Sequence, residues 1–313
     1  MAEKLLMTHC SSFLLPPPFT NGKNSSSPTT YALIILNQHL PRFSPLLWDH
    51  GNLYSAAKIR LCADGGANRL FDNMPELFPL EDNASLIRER YKPDVIKGDM
   101  DSIRPDVLSF YKDLGTEIVN NSDDQDTTDL HKCITYVRDF VSDEDKPNVS
   151  RIHFATSNPI SKEGYIGFVC LVELLHFANL NTCVFFSGLQ LCILVAGALG
   201  GRFDHEMGNV NTLCHFSTTR IILLSDDCLI QLLPSSQRHE IHIQSSVEGP
   251  HCGLIPIGAP SGSSTTTGLQ WDLDDTEMRF GGLVSTSNIV NGEIVTVRSD
   301  SDLLWTISLK KQP

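Results

Sequence analysis

A chain of 313 residues that is 41% hydrophobic can bury a substantial core without disulfide or metal staples, and its length suits two domains. Its net charge of −13, with no block rich in Lys or Arg, excludes extended phosphate-backbone contact of the nucleic-acid kind, so metal ions would have to mediate much of any contact with a phosphate compound. The cysteines are scattered without a C-x-x-C pair, and several lie in apolar runs, which points to a reducing compartment, the cytosol, and to no zinc site.

In chain order, residues 1–30 carry a short apolar patch, no sustained hydrophobic region leading to a cleavage site, and then Pro and Ser. They are expected to form a disordered tail, with a weak transit peptide as the alternative. From residue 31, apolar runs of strand length recur at YALIILN (31–37), KIRLCA (58–63), DVIK (94–97) and TEIV (116–119), with helical patterns between and after them. The clearest helix follows DDQDTTD: Leu130, Cys133, Ile134, Val137 and Val141 recur at three- and four-residue steps, with Asp126 or Thr127 as its expected N-cap. Alternating strands and helices predict a three-layer α/β domain over 31–217 with a mostly parallel sheet. Beyond about residue 218, short runs such as CLIQLL, HEIHIQS, GLQWDL, EIVTVRS and LLWTISL are separated by Gly, Pro, Ser and Asn turns, which predicts an all-β sandwich domain over 218–313.

Ligands of open parallel sheets bind outside the carboxyl ends of the strands, and acids gather where those ends are predicted. Asp64 follows KIRLCA in DGGANR, Asp99 and Asp101 follow DVIK in KGDMDS, and Asp126 and Asp129 follow TEIV in DQDTTD. A fourth strand, CILVAGALGGRFDHE, ends in Gly-Gly and then Arg202, Asp204 and His205 at another helix start. Any one such Asp is commonly a plain N-cap. Asp99 and Asp101 cannot both cap one helix, however, and a cluster of like charges gains nothing structurally without a cation. Oxygen-rich, nitrogen-poor sites suit Mg²⁺, the usual escort of nucleoside triphosphates. No G-x-x-x-x-G-K-[ST], G-x-G-x-x-G or G-x-S-x-G occurs, which excludes a P-loop enzyme and leaves the dinucleotide-binding and serine-hydrolase readings without support.

The combination of CADGGANR, KPDVIKGDMDS, DQDTTDL, GALGGRFDHE, GLQWDL and FGGLVSTSN resembles the thiamine pyrophosphokinases, those of plants above all, over roughly residues 31–150 and 187–311. The resemblance implies transfer of the pyrophosphoryl group of ATP to thiamine with release of AMP. It also implies Mg²⁺, an N-terminal α/β domain, a C-terminal β-sandwich, and a homodimer with active sites between subunits. By the same resemblance Asp64, Asp99, Asp101 and Asp129 handle metal and phosphate. Asn68, Gln125, Thr128, Arg202 and Asp204 lie toward ATP, with Arg202 also at the reacting centre, and Trp271, Ser285, Ser287 and Asn288 bind thiamine. A Trp face suits the flat, cationic rings of thiamine, although Trp271 taken alone reads equally as sandwich core.

Residues 151–186 have no counterpart in that pattern. They are expected to be either an extra helix packed on the domain or an aberrant segment such as a translated retained intron. Glu173, His176, Asn179 and Asn181 break their apolar run, so no membrane span is expected. Two alternatives accompany the kinase reading: a binding protein impaired by this insertion, and a Mg²⁺-dependent phosphohydrolase, which would leave Trp271 and the STSN segment without a task.

Overall fold

The computed structural model describes residues 4–15, 29–48, 55–144 and 192–311. In chain order they form β1 (Leu5–Cys10), a 3-10 turn (Ser12–Leu14), β2 (Thr29–Ile35), α1 (Ser44–Trp48), β3 (Ser55–Ala63), α2 (Gly66–Glu76), α3 (Ala84–Arg90), β4 (Val95–Gly98), α4 (Pro105–Asp113), β5 (Glu117–Asn120), α5 (Asp129–Glu144), β6 (Cys192–Ala196) and α6 (Phe203–His215). Then follow β7 (Arg220–Leu224), β8 (Cys228–Leu233), β9 (Gln237–His242), β10 (Glu248–Pro256), β11 (Ser261–Thr267), β12 (Thr276–Met278), β13 (Ser285–Ile289), β14 (Ile294–Ser299) and β15 (Leu303–Leu309). Residues 138–189 divide from the rest of the chain as a second unit, of which only 138–144, the last turns of α5, are described. The expected insertion at 151–186 lies outside the described residues.

The predicted strands β2 to β5 form where the apolar runs place them. With β6 and β7 they make the parallel half of a ten-stranded sheet of order β13-β10-β15-β8-β7-β6-β2-β3-β4-β5. Every residue of β6, and Tyr31 through Ile35 of β2, is buried, so both alternating sets of side chains are covered. That is the signature of parallel strands flanked by helices on two faces. The chain runs outward from β2 through β3, β4 and β5, then crosses back to lay β6 on the other side of β2. The gap between β2 and β6 is therefore the topological switch point of the sheet.

The sheet does not stop at residue 218. β7 pairs in parallel with β6, and strand direction reverses only at the 225–227 turn, after which β8, β15, β10 and β13 continue the sheet antiparallel. The burial pattern explains the difference: β7 is buried on both faces like its parallel neighbours, whereas β8 alternates. A five-stranded sheet, β1-β9-β14-β11-β12, completes the sandwich. Its Ile241, Val295 and Val297 join Leu254, Trp305 and Ile307 of the long sheet in one core. Trp305 is fully buried there, and truncating such a ring costs about 3–5 kcal/mol.

Further expectations are corrected. The tail over 1–30 is ordered at residues 4–15: β1 pairs in parallel with β9, and Phe13 and Leu14 are buried. Its short, partly polar pattern carries no periodicity that identifies a partner strand. Residues 16–28 lie outside the described set. GLQWDL is a turn with only an isolated bridge, Leu269 to Val290, while SGSSTTT, without an apolar residue, is strand β11. Ser261, Ser264 and Ser299 satisfy one another there, with hydroxyl contacts of 2.8 to 3.2 Å. Thr128, rather than Asp126 or Thr127, caps α5 by accepting the His131 N–H at 3.2 Å.

Candidate active site

Three strand ends converge because glycine leaves room for them. β3 ends at Ala63, and Asp64 turns the chain with φ of 43°, in the left-handed region that non-glycine residues seldom enter. Its carboxylate, 1% exposed, accepts the Ser102 N–H at 2.9 Å and the Ile103 N–H at 3.1 Å. Those bonds fix the loop after β4, and with it Asp99. A Cβ on Gly66 would stand 2.2 Å from the Ile35 carbonyl oxygen, so only glycine lets α2 start this close to β2. At Gly98 a Cβ would come within 2.7 Å of the Asp64 Cβ and 3.1 Å of Asp129 Oδ1. Glycine there lets Asp64 and Asp129 approach. Carboxylate oxygens of Asp64, Asp99 and Asp129 lie within 4.8 Å of one another.

Burial pushes the Asp64 carboxyl up to about 6, against the pull of its two backbone N–H partners, and the neighbouring Asp129 adds to the rise. Burial and then Asp99 raise Asp129 likewise. A compensating cation lies beside them: Lys132, buried, places Nζ 3.5 Å from Asp129 Oδ1 and 3.8 Å from Asp99 Oδ2. Asp129 Oδ1 is itself buried and receives no hydrogen bond. Three hard oxygen ligands with one left unsatisfied fit Mg²⁺. Asp101, the fourth expected acid, is not one of the three mutually close carboxylates but borders them: it is exposed and accepts the Ser102 hydroxyl at 2.7 Å, which holds its carboxyl below the usual range, and it adjoins Asp64 and Asp99. Ser102 is thereby engaged on both sides and does not cap α4, whose N-cap is Arg104.

The acids open into a cleft of about 320 Å³ at the switch point. Asn37 and Gln38 line it beyond β2, Gly197 and Gly201 beyond β6, and Thr128 and Arg202 stand at the starts of α5 and α6. Helix N-termini present free N–H groups and partial positive charge, which suits a phosphate. Arg202 bonds Asp204 through Nε at 3.1 Å, and both remain exposed. Two nucleotide candidates do not line the cleft. Asn68 donates to the Ser102 carbonyl at 2.9 Å and accepts the Arg104 N–H at 3.0 Å, bracing the acid loop from behind. Gln125 donates to the Ser122 carbonyl at 2.9 Å. Sequence reasoning missed Lys132, one turn after Asp129, and Glu206, which accepts the N–H groups of Gly200 and Gly201 at 2.8 and 2.9 Å. It also missed Asn37 and Gln38; their place directly after the first parallel strand was the available signal.

The thiamine candidates form a second group. Buried Asn288 accepts the Trp271 backbone N–H at 3.2 Å and donates to the Trp271 carbonyl at 2.9 Å and to Ser285 Oγ at 3.4 Å. Trp271 is thus held by its backbone while the side chain stays outside the core, the residue being 56% exposed. Ser287 takes φ of 58° within the same strand. None of the four lines the acid cleft.

Comparison with known proteins gives one answer along the whole chain. The thiamin pyrophosphokinase catalytic domain matches residues 50–224, and the thiamin pyrophosphokinase vitamin B1 binding domain matches residues 238–304. Thiamine pyrophosphokinase 1 of Arabidopsis thaliana is 58% identical over 311 residues, 99% of this chain and 96% of its own. Thiamine pyrophosphokinase 3 of Oryza sativa subsp. japonica is 52% identical over 313 residues, 99% of each. Thiamin pyrophosphokinase from Candida albicans shares the fold with a TM-score of 0.64 at 26% identity, over 95% of this chain and 98% of that one. The yeast structure does so with a TM-score of 0.67 at 24% identity, over 99% and 92%. With both domains matched in order and more than half of all residues identical to a relative spanned almost end to end, the chain belongs to the thiamine pyrophosphokinase family.

Proposed function

We propose that the protein transfers the pyrophosphoryl group of ATP to thiamine. The thiamine hydroxyl oxygen bonds the β-phosphorus in line, the bond from that phosphorus to the α–β bridging oxygen breaks, AMP leaves with the bridging oxygen, and the hydroxyl proton is released. The observation that carries the reading is the three-carboxylate cluster at the mouth of the switch-point cleft, between two helix N-termini. Asp64, Asp99 and Asp129 would hold Mg²⁺, with Asp101 at the rim, and the ion would neutralise charge on the phosphates. Thr128 and the N–H groups opening α5 and α6 receive phosphate oxygens, Arg202 orients the triphosphate, and Asp204 fixes Arg202. Asn68 acts from behind by bracing the loop, and Gln125 acts through the loop that carries Thr127 and Thr128.

Trp271, Ser285, Ser287 and Asn288 receive thiamine, the indole stacking on its rings. β13 and β3 are separated by seven inter-strand steps, which at about 4.8 Å each is about 34 Å. One chain does not bring the two groups together at that separation, so the reading includes a homodimer in which each acid cleft is completed by the partner's Trp271 side. The described cysteines are all unpaired, which suits the cytosol, and no described helix is long and apolar enough to cross a membrane.

Incubation of the full chain with ATP, Mg²⁺ and thiamine tests the reading. Thiamine diphosphate and AMP are expected in equal amounts. Inorganic phosphate released without thiamine would identify a phosphohydrolase instead, and ligand binding without AMP would identify a binding protein.

A further inference from the structure

The acid cluster contains one group that the proposed chemistry leaves without a task. Lys132 follows Asp129 by three residues on α5, so the two side chains leave the same helix face. Its side chain is 4% exposed, a state that lysine seldom enters unless paired, and its partners are Asp129 and Asp99, two of the three clustered acids. The other buried lysine nearby, Lys97, bonds the Asn121 side chain and lies over the Tyr136 ring. The ammonium seen against both Asp99 and Asp129 is that of Lys132, at 3.8 and 3.5 Å.

We propose that Lys132 is a positioning residue, a built-in counter-cation that holds Asp99 and Asp129 together before metal arrives and keeps the affinity of the cluster for a bare divalent cation low. The proposal rests on reading the cluster as a metal site. An ion using Asp129 Oδ1 and Asp99 Oδ2 has to share them with an ammonium 3.5 and 3.8 Å away, and like charges at such range weaken each other's binding. Nucleotide phosphates bring negative charge that offsets this repulsion. The cation is thus admitted with the nucleotide rather than kept as a resident ion. Lys132 governs that coupling without touching the reacting atoms.

The test uses Mn²⁺, which accepts the same oxygen ligands, titrated into the full chain with and without a non-hydrolysable ATP analogue, alongside thermal unfolding in EDTA. Without nucleotide, Lys132→Met is expected to bind Mn²⁺ at least about tenfold tighter than wild type. It should also unfold at a lower temperature in EDTA and recover more on adding metal. Lys132→Arg, which keeps the charge, should retain the weak wild-type affinity. Should Lys132→Met fail to fold in EDTA, Lys132→Gln carries the same expectation as the Met variant. A charge-removing variant that binds Mn²⁺ no tighter than wild type, or an Arg variant that binds as tightly as Met, overturns the proposal. Wild type that binds no Mn²⁺ even with nucleotide overturns the metal reading beneath it, so the two failures are distinguishable.

Discussion

The two ends of the ten-stranded sheet assemble their candidate groups by different physics. At the parallel end, Asp64, Asp99 and Asp129 come from three separate segments that follow β3, β4 and β5, and the strands are placed by the pairing and burial of the sheet, independently of any chemistry. At the antiparallel end, Trp271, Ser285, Ser287 and Asn288 lie within eighteen residues, on a turn and one edge strand, tied locally by the Asn288 amide. The candidate group at the parallel end depends on the convergence of distant segments, so a Cβ at Gly98 would press on two of its acids. The candidate group at the antiparallel end is local, and its exposed Trp271 ring can change without disturbing the core.

Substitutions should separate the ends accordingly. The largest effect is expected from Asp129→Asn, which removes a ligand charge from the cluster: turnover should fall roughly 10³-fold or more, while thermal stability holds or rises because a buried, desolvated carboxyl is gone. Initial rates and a melting curve check both halves, and near-normal turnover would sink the assignment of the cluster. Next in size is Trp271→Ala, expected to raise the KM for thiamine about 10- to 100-fold and leave that for ATP alone, since stacking is lost at an exposed ring. Mixing the two variants, assayed at thiamine well below the raised KM of Trp271→Ala, extends the comparison. If the ends meet across a dimer, re-equilibrated subunits should regain about a quarter of wild-type activity, because half the dimers then hold one intact site. No recovery, with subunit exchange verified, would place both ends in one chain.

Gly98→Ala should have a smaller effect that is still specific to the parallel end. Its Cβ would meet the Asp64 Cβ at 2.7 Å and Asp129 Oδ1 at 3.1 Å, forcing two acids apart. A stability loss of about 1–3 kcal/mol in urea unfolding is expected. The metal dependence of turnover should also shift to higher concentration, and an unchanged metal dependence would show that the spacing of the acids is not critical.

What the sequence made legible follows the same division. The parallel strands announce themselves as apolar runs, and acids after such runs point to one sheet edge, so the proximity of Asp64, Asp99 and Asp129 is readable from sequence alone. Asp101 could not be separated from Asp99 by spacing, because the turn that aims one carboxylate into the cluster and the other at Ser102 depends on Met100 at φ of 66°. Lys132 was hidden for a related reason: a lysine on an amphipathic helix reads as surface until the strand ends around it are known. At the antiparallel end, nothing in the spacing distinguishes Trp271 from a core residue. Only family resemblance assigned it a ligand, and its exposure shows that it is not a core residue. The β1 strand was illegible because its pairing, with residues some 230 positions away, has no local signature.

The docking of β1 can be tested through pH, with the smallest effect of the set. His9 on β1 is buried, with Nδ1 3.1 Å from Gln231 Oε1 and Nε2 3.0 Å from His239 Nδ1, while His239 Nε2 lies 2.9 Å from the Pro234 carbonyl. Burial, helped by Arg220, pushes His9 down from 6.5 to about 3, and burial lowers His239 as well. The unfolded chain therefore takes up protons below pH 6.5 that the folded chain refuses. The histidine contribution is intact above 6.5 and is lost progressively as pH falls toward 3. Asp64 and Glu248 act in the opposite sense, since their raised values let the folded state bind protons first as pH falls. The wild-type curve mixes both signs, so the informative quantity is the difference between wild type and His9→Gln. Between pH 7 and pH 5 the unfolding free energy of wild type should drop relative to the variant by about 1–2 kcal/mol. A difference that stays flat would mean that His9 titrates freely in the native state. β1 would then not be docked on β9, and the five-stranded sheet would lose its edge strand.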